Sequence, residues 1–171
     1  MITYRDAAPA DGAILGGIAR ATFIETFGNL YSLEDLTAFV NKGSDAAYAD
    51  ELADPDIAVR FAEAGTAQVG FAKIGGLKLP ADEHGASADA AELRQLYIYR
   101  PWHGVGIADV LTDWAKDAAR ARGASELWLS VFTDNHRARR FYARHGFAEV
   151  APYEFMVGKQ ADVDILCRAM L

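Results

Sequence analysis

The spacing of apolar residues changes abruptly inside one stretch, Glu92 to Arg122, which reads ELRQLYIYRPWHGVGIADVLTDWAKDAARAR. Leu93 to Tyr99 alternates aliphatic or aromatic residues with polar ones, a strand pattern. Beyond Gly104 and Gly106, the residues Ile107, Val110, Leu111, Trp114, Ala115, Ala118 and Ala119 follow helical spacing, with Asp113, Lys116, Asp117 and Arg120 on the other face. That predicts strand, glycine-bearing turn, then a helix with one buried side. A similar unit follows: Glu126 to Val131 is strand-like, and Ala138, Phe141 and Tyr142 recur at helical spacing. Upstream, Met1 to Arg5 reads as a first strand. Pro9 and Asp11 open a helix whose stripe is Ile14, Ile18, Ala21 and Glu25, ending near Gly28. Ser32-Leu33-Glu34-Asp35 resembles a capping box for a second helix through about Val40. Ser44 caps a third, which Asp54-Pro55 stops. Ile57 to Phe61 and Thr66 to Ile74 form a hairpin about Ala64-Gly65. Gly75 to Ala90, rich in Gly, Ala, Asp and Pro, reads as a surface loop. Two late strands, about Phe147 to Met156 and Asp162 to Arg168, join through Gly158, and no repeat period appears.

The glycine turn carries the first chemical signal. Backbone N–H groups at a helix start lack partners, the helix dipole adds partial positive charge, and glycine removes the Cβ from the approach, so such turns bind phosphate. A dinucleotide fingerprint would need a small residue at Asp109, where a carboxylate would repel pyrophosphate. A nucleotide P-loop would need Gly-Lys-Ser/Thr, and Gly106-Ile107-Ala108 has neither lysine nor hydroxyl. A third pattern, Q/R-x-x-G-x-G/A, is met by His103-Gly104-Val105-Gly106-Ile107-Ala108 at every position but the first.

That last pattern resembles the acetyl-CoA pyrophosphate loop of the GNAT acetyltransferase superfamily. Downstream, Thr133-Asp134-Asn135, the helix with Phe141-Tyr142 and Arg144-His145-Gly146-Phe147 follow in the order the superfamily shows. Most of the chain, and most densely the part from Glu92 onward, resembles bacterial GNAT enzymes that acetylate spermidine and spermine. Those relatives share an early helix like Thr22-Phe23-Ile24-Glu25-Thr26-Phe27-Gly28, and a late acidic strand in the tail. His103 stands where Gln or Arg is usual, and Arg94 where polyamine-acetylating relatives tend to have a carboxylate. The resemblance implies an α/β fold of the GNAT type over a single domain, 1–171: a mixed, mostly antiparallel sheet of about seven strands flanked by helices, with a splayed central strand pair. It also implies an acetyl-CoA-dependent N-acetyltransferase acting on a small primary amine such as spermidine or spermine. Within the same fold the acceptor could instead be an amino acid, an antibiotic or a protein N-terminus, and a non-catalytic acyl-CoA sensor is the reading from another class.

Composition narrows the partners. The chain has 171 residues, 51% of them hydrophobic, enough for one domain with a real core. Acids outnumber bases 24 to 17, for a net charge of -7, which argues against nucleic acid and mildly favours a cationic substrate. No run of eighteen apolar residues suggests a membrane span, and Met1 to Asp6 has no apolar signal region, so the expectation is a cytoplasmic protein. The single cysteine, Cys167, reads as a small buried hydrophobe. His84, His103, His136 and His145 lack metal-ligand spacing, so no metal is expected. Acyl length and oligomeric state, a homodimer among the options, stay open.

The resemblance assigns roles. Main-chain groups of Leu96, Tyr97 and Ile98 would lie along the pantetheine arm, and those of Gly104 to Ala108 would grip the diphosphate. Ala138 joins them on the cofactor helix. Tyr142 is the candidate acid for the departing thiolate, since a phenol near pKa 10 keeps its proton at neutral pH; alternatively it packs the helix. Asn135 contacts the CoA arm, caps its helix, or both. His103 either hydrogen-bonds pyrophosphate or is a turn residue beside Trp102. An amine near pKa 10.4 is only about 0.1% neutral at pH 7.4, a cost of roughly 4 kcal/mol, so a proton acceptor is needed. Glu25, Glu92 and Glu154 are the candidates beside ordered water, with Glu92 best placed. With no nucleophile elbow or Cys/His pair, transfer is expected to be direct.

Overall fold

In the computed structural model, which describes residues 1–171, the chain forms seven strands and five helices. They are β1 (Ile2–Asp6), β2 (Ala58–Ala64), β3 (Ala67–Gly76), β4 (Ala91–Ile98), β5 (Glu126–Phe132), β6 (Ala148–Val157) and β7 (Gln160–Met170). The helices are α1 (Gly12–Phe27), α2 (Leu33–Lys42), α3 (Asp45–Ala53), α4 (Ile107–Ala121) and α5 (His136–Arg144). One open sheet runs β1-β2-β3-β4-β5-β7-β6, antiparallel throughout except for the parallel pair β4 and β5. The expected α/β architecture with a mostly antiparallel sheet is what forms.

One irregularity decides the rest. On β4, Leu93 faces Ile74 and Gln95 faces Lys73, leaving Arg94 as an extra, unpaired residue. A bulge of this kind bends its strand. β4 and β5 pair only at Ala91 with Leu127 and Glu92 with Trp128, and past that point they part. The far edge of β4 is thus without a strand partner beyond Glu92, and a cleft opens through the middle of the sheet.

Strand parity assigns the two faces. Leu127, Leu129 and Val131 of β5, with Cys167 and Ala169 of β7, pack against Ile107, Leu111, Ala115 and Ala119 of α4. The alternate residues point to the other side: Trp128 and Leu166 form a separate cluster there, and Leu15, Ile18 and Ala19 of α1 cover Val59, Phe61 and Phe71 on the β2–β3 end.

Local signals end the helices where expected. Ser32 and Ser44 accept hydrogen bonds from Asp35 N–H and Ala47 N–H, both at 3.1 Å, and each caps its helix. The hairpin and terminal turns fall on Gly65 and Gly158, whose φ values of 64° and 60° suit glycine. Three readings are corrected. The stripe on α1 is Leu15, Ile18, Ala19 and Phe23, while Ile14 is exposed. Close packing of α3 turns the helix: a Cβ on Gly12 would lie 2.7 Å from Ala49, so α1 is held on two sides rather than one. On α4, Val110 is exposed and Thr112 is fully buried. The stretch from Gly75 to Ala90 is no mere surface loop, because Ala81 and Ala90 are buried against Trp128 and Leu166.

Candidate active site

The turn before α4 offers an unusual run of free donors. No backbone N–H from Gly104 to Asp109 bonds to a carbonyl of the preceding turn, and the first helical bond is Val110 N–H to the Gly106 carbonyl at 3.2 Å. Gly104 and Gly106 hold φ at 81° and 88°, and a Cβ on either would stand in open space. Val105 is exposed and Ile107 anchors the turn in the core. Asp109, whose charge would oppose an anion here, has its carboxylate beside His145 Nε2 at 3.0 Å. The cradle opens on a cleft of about 830 Å³ that runs along the free edge of β4 past Leu96, Tyr97 and Ile98.

The α5 helix supplies the opposite wall. Ala138 and Tyr142 line the cleft, and so do Arg137, Arg140 and Arg144, spaced to share one face, while Arg139 turns away to Glu149. The Asn135 side chain accepts from Ala138 N–H at 3.2 Å and caps the helix, beside the cleft it also lines. His103 differs from expectation. Its Nε2 contacts the Ile98 carbonyl at 2.8 Å and its Nδ1 faces the Arg137 guanidinium. An arginine donates only, so Nδ1 accepts and Nε2 donates. Both ring nitrogens are engaged, which leaves no proton for a phosphate; instead the imidazole fixes Arg137 at the mouth of the cradle.

Glu92 is also corrected. It is buried at the closed end of the β4–β5 pair, outside the cleft, and its carboxylate accepts from the N–H groups of Lys78 and Leu79 at 2.8 and 3.2 Å. That is the work of a loop anchor. Tyr142 is raised above the ordinary phenol range, first by burial and then by Tyr97 and Cys167, so it keeps its proton at neutral pH. Burial pushes the Cys167 thiol up to about 12, which makes it inert as a nucleophile. No three His, Cys, Asp or Glu side chains gather as a metal site.

The other end of the cleft, under α1 and α2, is aromatic. Phe23 stacks on Phe39 at 4.5 Å and on Tyr31 at 6.2 Å, Phe27 meets Phe132 edge-on, and Phe39 meets Phe155 in the same way. Two buried acids of β7 sit in this region: Asp162, which accepts from the Tyr31 hydroxyl, and Asp164, which lines the cleft itself. The α5 arginines carry no motif beyond their spacing, and the acids belong to the late acidic strand, whose sequence does not show which face they take.

The profile of the Acetyltransferase (GNAT) family matches residues 24–147, the span from α1 through α5. The chain belongs to the GNAT acetyltransferase family. An uncharacterized N-acetyltransferase of Mycobacterium tuberculosis is 31% identical over 155 residues, covering 90% of this chain and 94% of its own. Another, from Lactobacillus delbrueckii subsp. lactis, is 27% identical over 158 residues, covering 90% and 88%. The fold is shared with the PaiA N-acetyltransferase of Thermoplasma acidophilum, whose structure is a complex with coenzyme A: the TM-score is 0.78 at 22% identity, over 100% of this chain and 99% of that one. The protein is therefore a GNAT-type, acetyl-CoA-dependent N-acetyltransferase. Its own residues fit the cofactor, because free N–H donors, open glycines and three arginines line one cleft next to an unpaired strand edge.

Proposed function

We propose that this GNAT enzyme acetylates a primary amine of a small cationic acceptor, of the spermidine or spermine type, by direct transfer. The observation that carries this reading is the aromatic end of the cleft with Asp162 and Asp164 buried beside it. Aromatic faces attract ammonium groups, and buried carboxylates favour a cation over an anion or a neutral acceptor. Lys73 also reaches this region, but Glu51 neutralises it at 2.6 Å.

Bound, acetyl-CoA supplies the acetyl thioester. The N–H groups from Gly104 to Ala108 hold the diphosphate, with Arg137, Arg140 and Arg144 adding charge-assisted donors. The main chain of Leu96 and Tyr97 lines the pantetheine arm as an added strand would. The Ile98 carbonyl, already taken by His103, serves the cradle instead. Ala138 leaves room on α5, and the free amide nitrogen of Asn135 faces the same arm. Tyr142 donates its proton to the departing sulfur. Glu92, bonded to the loop, has no part in the proton transfers.

A thiol-release assay across spermidine, spermine, simple diamines, amino acids and peptides tests the assignment. Turnover is expected with the polyamines, with initial-rate patterns of a ternary complex. Exclusive turnover of amino acids or peptide N-termini would replace the acceptor, and coenzyme A binding without any turnover would make the protein a sensor.

A further inference from the structure

We propose that Asp164 is the base that takes the proton from the acceptor's ammonium group. This rests on the transferase reading above and adds the group that the sequence pointed to wrongly in Glu92.

Position comes first. Asp164 lies opposite Phe132 on β5 and Tyr153 on β6, one strand from the gap where β4 and β5 separate. By parity its side chain shares the face of Leu166 and Trp128, under α1 and α2, while Cys167 and Ala169 look toward α4. The acid Tyr142 belongs to the α5 side. The cleft joins the two, so acid and base approach the reacting centre from opposite faces of one sheet.

The surroundings suit the task. Asp164 is 7% exposed and makes no ion pair. The groups facing it are Ser130 of β5, Asp162 on its own strand, Tyr31 after α1, Tyr97 of β4 and Tyr153 of β6, with no cation among them. Burial raises its carboxyl to about 6, the Ser130 hydroxyl holds it down somewhat, and Asp162 pushes it up further. Compared with an ordinary carboxylate this is a proton acceptor on the order of a hundredfold stronger, yet still ionised at neutral pH. Asp162 is less free, because it accepts from both Tyr31 and the Gln160 amide.

The step balances. Asp164 takes one proton from the ammonium, the freed lone pair forms the C–N bond, and the C–S bond breaks. Tyr142 protonates the sulfur and is reprotonated by the second proton leaving nitrogen. Asp164 gives its proton to water, so each turnover releases one proton net.

Three variants test this. Asp164→Asn should lower kcat with the best amine by about 10²-fold or more, leave coenzyme A affinity by calorimetry unchanged, and abolish the acid limb near pH 6 in kcat/KM. Asp164→Glu should recover part of the rate. Ser130→Ala, which removes the hydroxyl that holds the carboxyl down, should move the acid limb to higher pH, and carbon NMR of the Asp164 carboxyl should show the same shift without turnover. A wild-type enzyme that turns over while Asp164→Asn keeps its kcat would overturn the base assignment alone. A wild type without turnover on any amine would overturn the transferase reading and this inference together.

Discussion

Two glycines separate strain from function at the cofactor cradle. Gly106 and Gly123 have nearly the same backbone, with φ of 88° and 86°, and a Cβ at either would meet nothing within 4 Å. They bracket α4, whose fifteen residues span about 22 Å. Replacing either by alanine forces an L residue into the left-handed region at about 1 kcal/mol, partly offset by the stiffer unfolded chain. In a chain this long, 1 kcal/mol lowers Tm by about 2–4 °C, and both variants should fall by similar amounts. Only at Gly106 does the new methyl stand in the cleft, among N–H groups that have no partner in the turn. Losing or displacing one hydrogen bond to a charged group costs about 1.5–3 kcal/mol, so Gly106→Ala should weaken coenzyme A binding by roughly ten- to a hundredfold, and Gly123→Ala should not weaken it. Thermal unfolding and isothermal calorimetry on the same preparations provide the comparison. Equal coenzyme A affinity in the two variants would mean that the turn before α4 is not the diphosphate cradle.

Tyr142→Phe should reduce kcat by about 10²–10⁴-fold while preserving coenzyme A affinity; an unchanged kcat with the best amine would remove the phenol from the chemistry. His103→Ala should free Arg137 and raise KM for acetyl-CoA several-fold, with a weaker salt dependence, whereas His103→Gln, able to donate to Ile98 and accept from Arg137, should stay close to wild type; equal effects would show that the imidazole does not position the arginine. Arg5 donates to Asp11 at 2.7 and 3.0 Å and holds its carboxyl below the usual range. The folded state thus binds that proton less readily, so the stability is complete above about pH 4 and is lost as pH falls through the lower folded value; Asp11→Asn should be less stable by on the order of 1 kcal/mol at pH 6, with the deficit shrinking steadily as pH falls below about 4 in denaturant unfolding, and a constant deficit would contradict this.

What the sequence showed was whatever one residue and its near neighbours decide. Ser32 and Ser44 cap helices because their hydroxyls serve N–H groups three residues on. Gly104 and Gly106 marked a turn with free donors, because a helix start leaves N–H groups unpaired in any surroundings. The failures are non-local. Glu92 looked available because nothing in its strand reveals that Lys78 and Leu79, across a loop, occupy its carboxylate. His103 looked free because Arg137 lies 34 residues away. The β4 alternation seemed regular, and only pairing with β3 exposes Arg94 as an extra residue. Asp164 could not be assigned to a face until β7 was registered against β5.

The bulge at Arg94 connects these features. The bulge bends β4, and beyond Glu92 the strand no longer pairs with β5. One gap serves chemistries of opposite charge. The arginines of α5 lie where the proposed cofactor anion docks, and Asp162 and Asp164 where the proposed cationic acceptor approaches, each set on its own side of the sheet. A net charge of -7 describes neither side. At the few ångströms that matter for binding, fields come from the nearest side chains and the helix start, while charges beyond a Debye length of about 8 Å are largely screened. An acidic chain can hold a polyanionic cofactor for this reason, and the same separation keeps the cofactor's phosphates from competing with the acceptor for its acids.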